Sequence, residues 1–321
     1  MEKKLLLGDE AVALGALHAG LSGVYAYPGT PSTEITEFIQ LHPLAKERNV
    51  HSRWCTNEKT AMEAALGMSF MGKRALVCMK HVGMNVCADP FVNSAMTGVN
   101  GGVVVLVADD PSMHSSQDEQ DSRFYGKFAM IPTFEPSSQQ EAYDMMEAAF
   151  DYSEQQCLPV LMRVTTRMAH SRAVVQVKDE ARPENEMNFN AVAANWVLLP
   201  ANARKRNDKV TAQQAQLEED AANSKFNIGP SPVGKGEKCP LGIIASGIAY
   251  NYVQEALNSQ LSTPKDFPVP LAQETGSRPF EQLREGNGGR RGAALHRGAG
   301  SWRFRESEYP GSSDGRTAPH R

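Results

Sequence analysis

The sequence predicts an α/β fold: a parallel sheet flanked by helices, followed by part of a second α/β domain. Up to about residue 177, segments of helical periodicity alternate with short runs of β-branched residues, the pattern of strands joined by helical crossovers. The runs Arg74–Met79 and Val103–Ala108 are apolar almost throughout instead of alternating, which marks strands covered on both faces. Glycines stand where helical patterns stop and capping residues where they start.

Taken in order, the first helix runs from about Asp9 to Ala19 and stops at Gly20, and a strand follows around Val24 to Tyr27. The second helix is placed at Thr30-Pro31, because threonine is a good N-cap and proline is pre-organised for the first helical position. After Asn57, residues Ala61, Ala64, Ala65, Met68 and Met71 recur at helical spacing until Gly72. Arg74–Met79 and Val103–Ala108 supply the next two strands. Ser138-Gln139-Gln140-Glu141 reads as a capping box, opening a helix whose buried stripe is Ala142, Met145, Met146 and Ala149. The strand Pro159–Thr165 closes this first domain, residues 1–177.

Residues 178–238 are polar, with the charge runs Arg204-Lys205-Arg206 and Glu218-Glu219-Asp220. They read as an exposed, partly helical linker that ends in the Pro230, Pro232, Gly234, Gly236 cluster. A second α/β domain begins over residues 239–267, with a strand at Leu241–Ala245, a turn at Ser246-Gly247 and an amphipathic helix at Ala249–Leu257. Residues 268–321 contain no lysine, isoleucine or methionine, are rich in arginine and glycine, and lose all hydrophobic periodicity. Such a tail is expected to be disordered.

Composition excludes several classes. With 41% hydrophobic and 22% charged residues, the 321-residue chain is globular in composition, and a net charge of −4 gives no reason to expect nucleic acid as a partner. No apolar run nears the roughly 20 residues that span a bilayer, so no membrane association is expected. The three-leucine run at Leu5–Leu7 is too short for a secretory leader. The five cysteines (Cys55, Cys78, Cys87, Cys157, Cys239) are scattered and form no C-x-x-C, which argues against a disulfide framework or a cysteine metal cluster. The chain reads as cytoplasmic, with reduced thiols.

Three polar segments each follow a predicted strand, where open parallel sheets bind ligands. They are Tyr27-Pro28-Gly29-Thr30-Pro31-Ser32-Thr33-Glu34, then Asn57-Glu58-Lys59-Thr60-Ala61, then the run from Asp109 to Asp121. No G-x-G-x-x-G follows the first strand, because Gly20, Gly23 and Gly29 have the wrong spacing, so a dinucleotide site is excluded. On residue chemistry alone, Glu58 is either a functional carboxylate at the rim of an apolar cleft or a helix-start glutamate favoured by the dipole, worth ~0.3–1 kcal/mol. Thr30 is either an anion contact at a helix start or a plain cap. Lys80 and His81, just past a buried strand, face a ligand or serve structure, as does His114.

These segments resemble the pyrimidine-binding domain of the thiamine-diphosphate-dependent 2-oxoacid:ferredoxin oxidoreductases. The Tyr27–Ser32 turn is shared broadly among them. Met79-Lys80-His81-Val82-Gly83-Met84-Asn85, Ala88-Asp89-Pro90, His114-Ser115-Ser116-Gln117 running into Glu119-Gln120-Asp121, Leu199–Lys205 and Gly242–Tyr250 are closest to the alpha subunit of the indolepyruvate branch. The resemblance runs from Gly8 to about Phe267.

It implies that Glu58 hydrogen-bonds the pyrimidine ring of thiamine diphosphate and activates it, beside Pro28, Lys80 and His81 as cofactor neighbours. It implies that Thr30 contacts the 2-oxoacid, with His114, Ser115 and Gln117 at the substrate rim or against a neighbouring subunit. Asp109 and Asp110 could be read as a metal pair, but the family holds its Mg²⁺ on a different, diphosphate-binding domain. The implied activity is oxidative decarboxylation of aryl 2-oxoacids such as indolepyruvate to acyl-CoA. The implied partners are a beta subunit, ferredoxin, coenzyme A and the 2-oxoacid, in an oligomer. Pyruvate and 2-oxoglutarate remain alternative substrates, and a partner-binding remnant without activity remains an alternative role.

The family's Gly-Asp-Gly motif with its Mg²⁺ ligands, and its cysteine quartets for [4Fe–4S] clusters, do not occur in this sequence, so Mg²⁺ and the clusters are expected only in an intact complex. The chain alone is therefore expected to be inactive. A shift of reading frame near Phe267 to Val269 is the explanation the sequence offers for the tail. One permissible codon choice for Leu295–Ser301, read one nucleotide later, spells an acidic Glu-Glu-Leu-Glu stretch like the family's.

Overall fold

A computed structural model describes residues 2–189, 193–227, 243–258 and 271–273, all within one compact unit spanning Met1–Arg278. In chain order, the first elements are β1 (Glu2–Leu7), α1 (Gly8–His18), β2 (Gly23–Ala26), α2 (Thr33–Leu41), α3 (Pro43–Glu47) and β3 (His51–Trp54). Next come α4 (Glu58–Phe70), β4 (Ala75–Lys80), α5 (His81–Thr97), β5 (Val103–Asp109), α6 (Arg123–Ala129), β6 (Thr133–Phe134) and α7 (Gln139–Gln156). The domain continues through β7 (Val160–Thr165), α8 (Thr166–His170), β8 (Arg172–Val177) and α9 (Pro200–Ala222). Last are β9 (Ile243–Ala245), α10 (Ile248–Asn258) and β10 (Leu271–Gln273).

Six strands form the central sheet in the order β3-β2-β4-β5-β7-β6, parallel throughout. The expected parallel sheet with flanking helices is the observed fold. Alternate residues of each strand feed two cores. Leu76, Cys78, Val104 and Leu106 pack with α1, α2 and α7, whereas Val77, Met79, Val103 and Val105 pack with α4, α5 and α9. Coverage on both faces is why these strands read as continuous apolar runs. The stripe Ala142, Met145, Met146 and Ala149 of α7 is fully buried, as its spacing predicts.

Several elements depart from the sequence reading. The helix placed at Thr30-Pro31 begins only at Thr33, with Ser32 at the N-cap, and the Thr30–Pro31 peptide is cis. The capping box of α7 is split between two serines. Ser138 Oγ accepts from Glu141 N at 3.2 Å, but Glu141 Oε2 accepts from Ser137 N and Ser137 Oγ, both at 2.8 Å. Strand β1 is an addition that the polar Glu2-Lys3-Lys4 start concealed. It pairs antiparallel with β8 in a separate ribbon, and its Leu6 packs with Tyr143 and Val175 outside α1 and α7.

The segment read as an exposed linker contains the long helix α9. Its Val210 and Leu217 are buried in the second core, and Asp220 accepts hydrogen bonds from Tyr152 Oη at 2.9 Å and Gln156 Nε2 at 3.1 Å. Two apolar residues two turns apart are enough to dock a helix that is otherwise polar. Residues 228–242, which carry the proline–glycine cluster and Cys239, lie outside the described residues. Of the tail, Leu271–Gln273 pairs in parallel with β9, beyond the expected limit of order at residue 267; the open edge of β9 supplies the pairing groups. Residues 274–321, including the Leu295–Ser301 segment used to argue the frame shift, lie outside the described residues.

Candidate active site

The predicted site residues converge on the carboxyl ends of the central strands. Strand β2 ends at Ala26 and delivers the Pro28–Gly29 turn, β4 ends at Lys80, and β5 ends at Asp109. The turn is held by itself: Ser32 Oγ donates to Gly29 O at 2.9 Å, and Gly29 N donates to Thr33 Oγ1 at 2.9 Å. A Cβ on Gly29 would stand 3.2 Å from the Lys80 Cβ, so the turn lies directly against Lys80. Pro28 and Thr30 are exposed on its outer side.

Glu58 is the first residue of α4, behind an Asn57 cap whose Oδ1 accepts from Thr60 N at 2.9 Å. Only 9% of Glu58 is exposed, and among the described residues its carboxylate has no hydrogen-bond or ion-pair partner. The carboxylate lies against the first turn of α5, where a Cβ on Gly83 would come within 2.3 Å of Glu58 Oε1. Cys87, one turn further along, feels it as well. Burial, and then the charges of Glu58 and Glu63, push its thiol well above the usual range. With its residue largely buried and its carboxylate bonded to no described residue, Glu58 is placed to accept a donor from a ligand at this strand edge.

Lys80 and His81 hold the loop that follows β5. Lys80 Nζ donates to Ser115 O at 2.7 Å, and the fully buried His81 has its Nε2 3.1 Å from Asp118 O and 3.4 Å from Asp118 Oδ1. His81 Nδ1 is buried without a hydrogen-bond partner. The loop's hub is Asp110, which accepts from Ser115 N at 2.8 Å, Ser116 Oγ at 2.5 Å and Thr166 Oγ1 at 2.9 Å. Burial pushes the Asp110 carboxyl up, but the bonds from Ser116, Ser115 and Thr166 outweigh it and hold the group below the usual carboxylate range.

Asp109 points the other way, to Arg163 Nε at 2.5 Å and Ser122 N at 3.1 Å. The two aspartates are therefore each committed to a separate network. Neither aspartate had been assigned a structural role from sequence, although a loop-opening aspartate followed by serines is a recognisable turn signal.

The structure thus brings Gly29, next to Pro28, together with Lys80 and Ser115, and sets Glu58 against Gly83 on the same helix start that carries His81. His114 is not drawn into it. It lines a cavity of about 490 Å³ with Pro111, Ser112, Thr165, Thr166 and Arg167, and none of the other predicted site residues borders that cavity. Gln117 is exposed. Gly83 was missed from sequence because its contact with Glu58 exists only after α4 and α5 pack.

An aminopyrimidine is a suitable ligand for this arrangement. A single carboxylate is the partner its ring nitrogen needs, and Glu58 offers one beside the core that holds Met62, Met84 and Cys87. Fold and site together define a thiamine-diphosphate enzyme's pyrimidine-binding domain. The chain belongs to the family described as pyruvate flavodoxin/ferredoxin oxidoreductase, thiamine-diphosphate-binding, whose family model matches residues 14–223.

Among its relatives, the indolepyruvate oxidoreductase subunit IorA of Thermococcus kodakarensis is 42% identical over 283 residues, covering 84% of this chain and 42% of that protein. IorA of Methanothermobacter thermautotrophicus is 41% identical, over 85% of this chain and 45% of that protein. The 2-oxoglutarate synthase subunit KorA of the same organism is 29% identical over 62% of this chain. A solved 2-oxoglutarate:ferredoxin oxidoreductase from Magnetococcus marinus shares the fold, with a TM-score of 0.69 at 17% identity over 88% of this chain and 56% of that one. The chain thus spans less than half the length of the IorA proteins it matches. Among the described residues, no helix is long and apolar enough to cross a membrane.

Proposed function

We propose that this chain supplies the cofactor-activating half-site of a 2-oxoacid:ferredoxin oxidoreductase acting on aryl 2-oxoacids such as indolepyruvate. The observation that carries the reading is Glu58 at the start of α4, a largely buried residue whose carboxylate lies against Gly83 in the first turn of α5 and bonds to no described residue. Thiamine diphosphate, when bound, supplies a thiazolium carbon that adds to the carbonyl of a 2-oxoacid. Glu58 would hold the cofactor's pyrimidine ring by a hydrogen bond between its carboxylate and a ring nitrogen, and so would help the cofactor supply its acid–base chemistry. Pro28 and Lys80 would neighbour the bound cofactor from the β2 and β4 ends, and His81 anchors the β5 loop. Thr30, on the exposed side of its turn, offers a hydroxyl to the substrate carboxylate, and Ser115 and Gln117 lie on the rim that the substrate or a neighbouring subunit meets.

The IorA likeness supports indolepyruvate over pyruvate or 2-oxoglutarate, and it supports a beta subunit, coenzyme A, ferredoxin and an oligomeric assembly as partners. Mg²⁺ and [4Fe–4S] clusters belong to parts of such an enzyme that this chain's sequence does not encode. In the domain plan proposed here, residues 1–177 together with the docked helix α9 bind the pyrimidine, and 239–267 open the second domain.

Calorimetry with thiamine diphosphate and Mg²⁺ tests the reading, run with the chain alone and with the diphosphate-binding half of an IorA-type subunit added. Binding that appears only in the mixture, and weakens in Glu58→Gln, is the expected result. Equal binding by the wild type and Glu58→Gln mixtures would remove Glu58 from the site. An absence of binding in both would favour a remnant that has lost the cofactor.

A further inference from the structure

Beside the Pro28–Ser32 turn, but involving none of the residues proposed above to act on cofactor or substrate, three ligating side chains from three separate elements meet. Asp9 lies in the first turn of α1, Glu34 in the first turn of α2, and His170 ends α8. Their ligand atoms all lie within 4.8 Å of one another. His170 Nε2 is 3.6 Å from Glu34 Oε1 and 4.0 Å from Asp9 Oδ2. Gly8 makes the meeting possible. A Cβ there would stand 2.1 Å from the Met168 carbonyl oxygen, so only glycine lets α1 start hard against α8.

What separates this group from an ordinary acidic cluster is the state of Asp9. The residue is completely buried, yet neither carboxylate oxygen has a hydrogen-bond partner, and the His170 nitrogen is beyond hydrogen-bond reach. Glu34 Oε2 is likewise buried and unbonded. The other charge felt by Asp9, from Glu10, is also negative. Two carboxylates facing each other, one of them fully buried, with only one imidazole nearby, are relieved either by a proton or by a cation between them. The imidazole at the open end supplies a ligand that a proton does not need. Around a tetrahedral ion with bonds of about 2.0–2.1 Å, ligand atoms sit roughly 3.3–3.4 Å apart, so the two imidazole–carboxylate separations need to close by only tenths of an ångström.

We propose that Asp9, Glu34 and His170 bind a first-row divalent metal ion, with Zn²⁺ the best match to one imidazole and two carboxylates. His170, the most exposed of the three by residue, also lines the cavity it shares with Thr165, Thr166 and Arg167. The ion ties α2 to α1 and α8 directly behind the Tyr27–Ser32 turn. Its existence does not depend on the cofactor reading above.

The test uses the full chain, stripped with a chelator and titrated with Co²⁺ followed by visible absorption, and with Zn²⁺ by calorimetry. The expected result is one equivalent bound, visible Co²⁺ d–d bands, and a melting temperature about 5–10 °C higher at Zn²⁺ near 100 times Kd. His170→Ala, at an exposed position that leaves the core intact, is expected to weaken Zn²⁺ binding at least 10-fold and abolish the bands, and Glu34→Gln to do the same. Asp9→Asn adds to this only if its circular dichroism stays native. No Co²⁺ spectrum in the wild type, or Zn²⁺ affinity unchanged in a folded His170→Ala chain, would overturn the proposal, the latter showing an adventitious ion only.

Discussion

Replacing Gly83 by alanine probes the candidate site by displacing Glu58 while leaving its carboxylate chemically intact. The new methyl would stand 2.3 Å from Glu58 Oε1 and 2.7 Å from both Glu58 Cγ and Cδ, where ordinary contact begins at 3.4 Å, so the oxygen is about 1.1 Å too close. The Glu58 side chain must leave its position. Overpacking of this kind costs ~1–3 kcal/mol, while alanine for glycine inside α5 returns about 1 kcal/mol of helix propensity. The net loss of stability is therefore roughly 0–2 kcal/mol, which urea unfolding of the full chain measures.

The functional cost is on a different scale. A displaced acid–base group removes on the order of 10²–10⁴ in rate, measured as 2-oxoacid oxidation in a complex that contains the diphosphate-binding half. Gly83→Ala and Glu58→Gln should each show this loss, and the double variant should be little worse than either single one. A Gly83→Ala complex with the wild-type rate, or fully additive effects in the double variant, would refute the placement of Glu58 in the chemistry.

Three further outcomes follow from other parts of the molecule. Arg74 is fully buried, with Glu154 held through Nε at 2.9 Å and Nη2 at 2.7 Å, Asp151 at 2.5 Å and the Ala19 carbonyl at 2.8 Å. Because Asp151 and Glu154 keep some solvent access, Arg74→Met should cost about 2–4 kcal/mol, somewhat less than a wholly buried pair, in urea unfolding; a change below about 0.5 kcal/mol would contradict the role given to the cluster.

Burial, then the positive charges of His42, Lys4, Arg48 and Lys178, push His18 down to about 4, and its Nδ1 lies 2.6 Å from Tyr143 Oη. Its neutral form is the folded one, so this contribution to stability is complete above about pH 6.5 and is lost as pH falls toward 4. The urea midpoint of the wild type should drop across that window and that of His18→Gln should drop less; equal slopes would count against it. Asp110→Asn should leave the sheet intact but speed hydrogen exchange at the Ser115 amide roughly 10–100-fold, the loss of one charge-assisted bond. Unchanged protection there would mean that Lys80, which grips the Ser115 carbonyl, holds the loop unaided.

Much of the fold was legible because the central strands are covered on both faces and leave continuous apolar runs such as Ala75–Met79. Helix α5 was not, although it carries Gly83. Pro90 sits inside it, and the buried His81 and Ser94 interrupt the apolar stripe, so only tertiary packing decides for helix. Glu58 could be picked out because it directly follows an N-cap asparagine, a local signal. Its fit against Gly83, the split cap of Ser137 and Ser138, and the meeting of Asp9 with His170 depend on contacts between elements distant in sequence, which no local pattern encodes. The shift of the second helix start from Thr30 to Thr33 has a smaller cause. Residues Gly29, Ser32 and Thr33 bond to one another and finish the turn before helical bonding can begin.

The antiparallel ribbon that joins β1 to β8 fixes the order in which the domain can mature on the ribosome. Glu2 is matched with Val177 and Leu7 with Arg172, so the first strand to emerge waits for nearly the last. Until then β1 offers an unpaired row of amides and carbonyls to any neighbouring chain, and the long loop it closes makes its pairing slow to form. A nascent chain released before residue 172 keeps that edge open. One that reaches residue 177 closes it, whatever comes after.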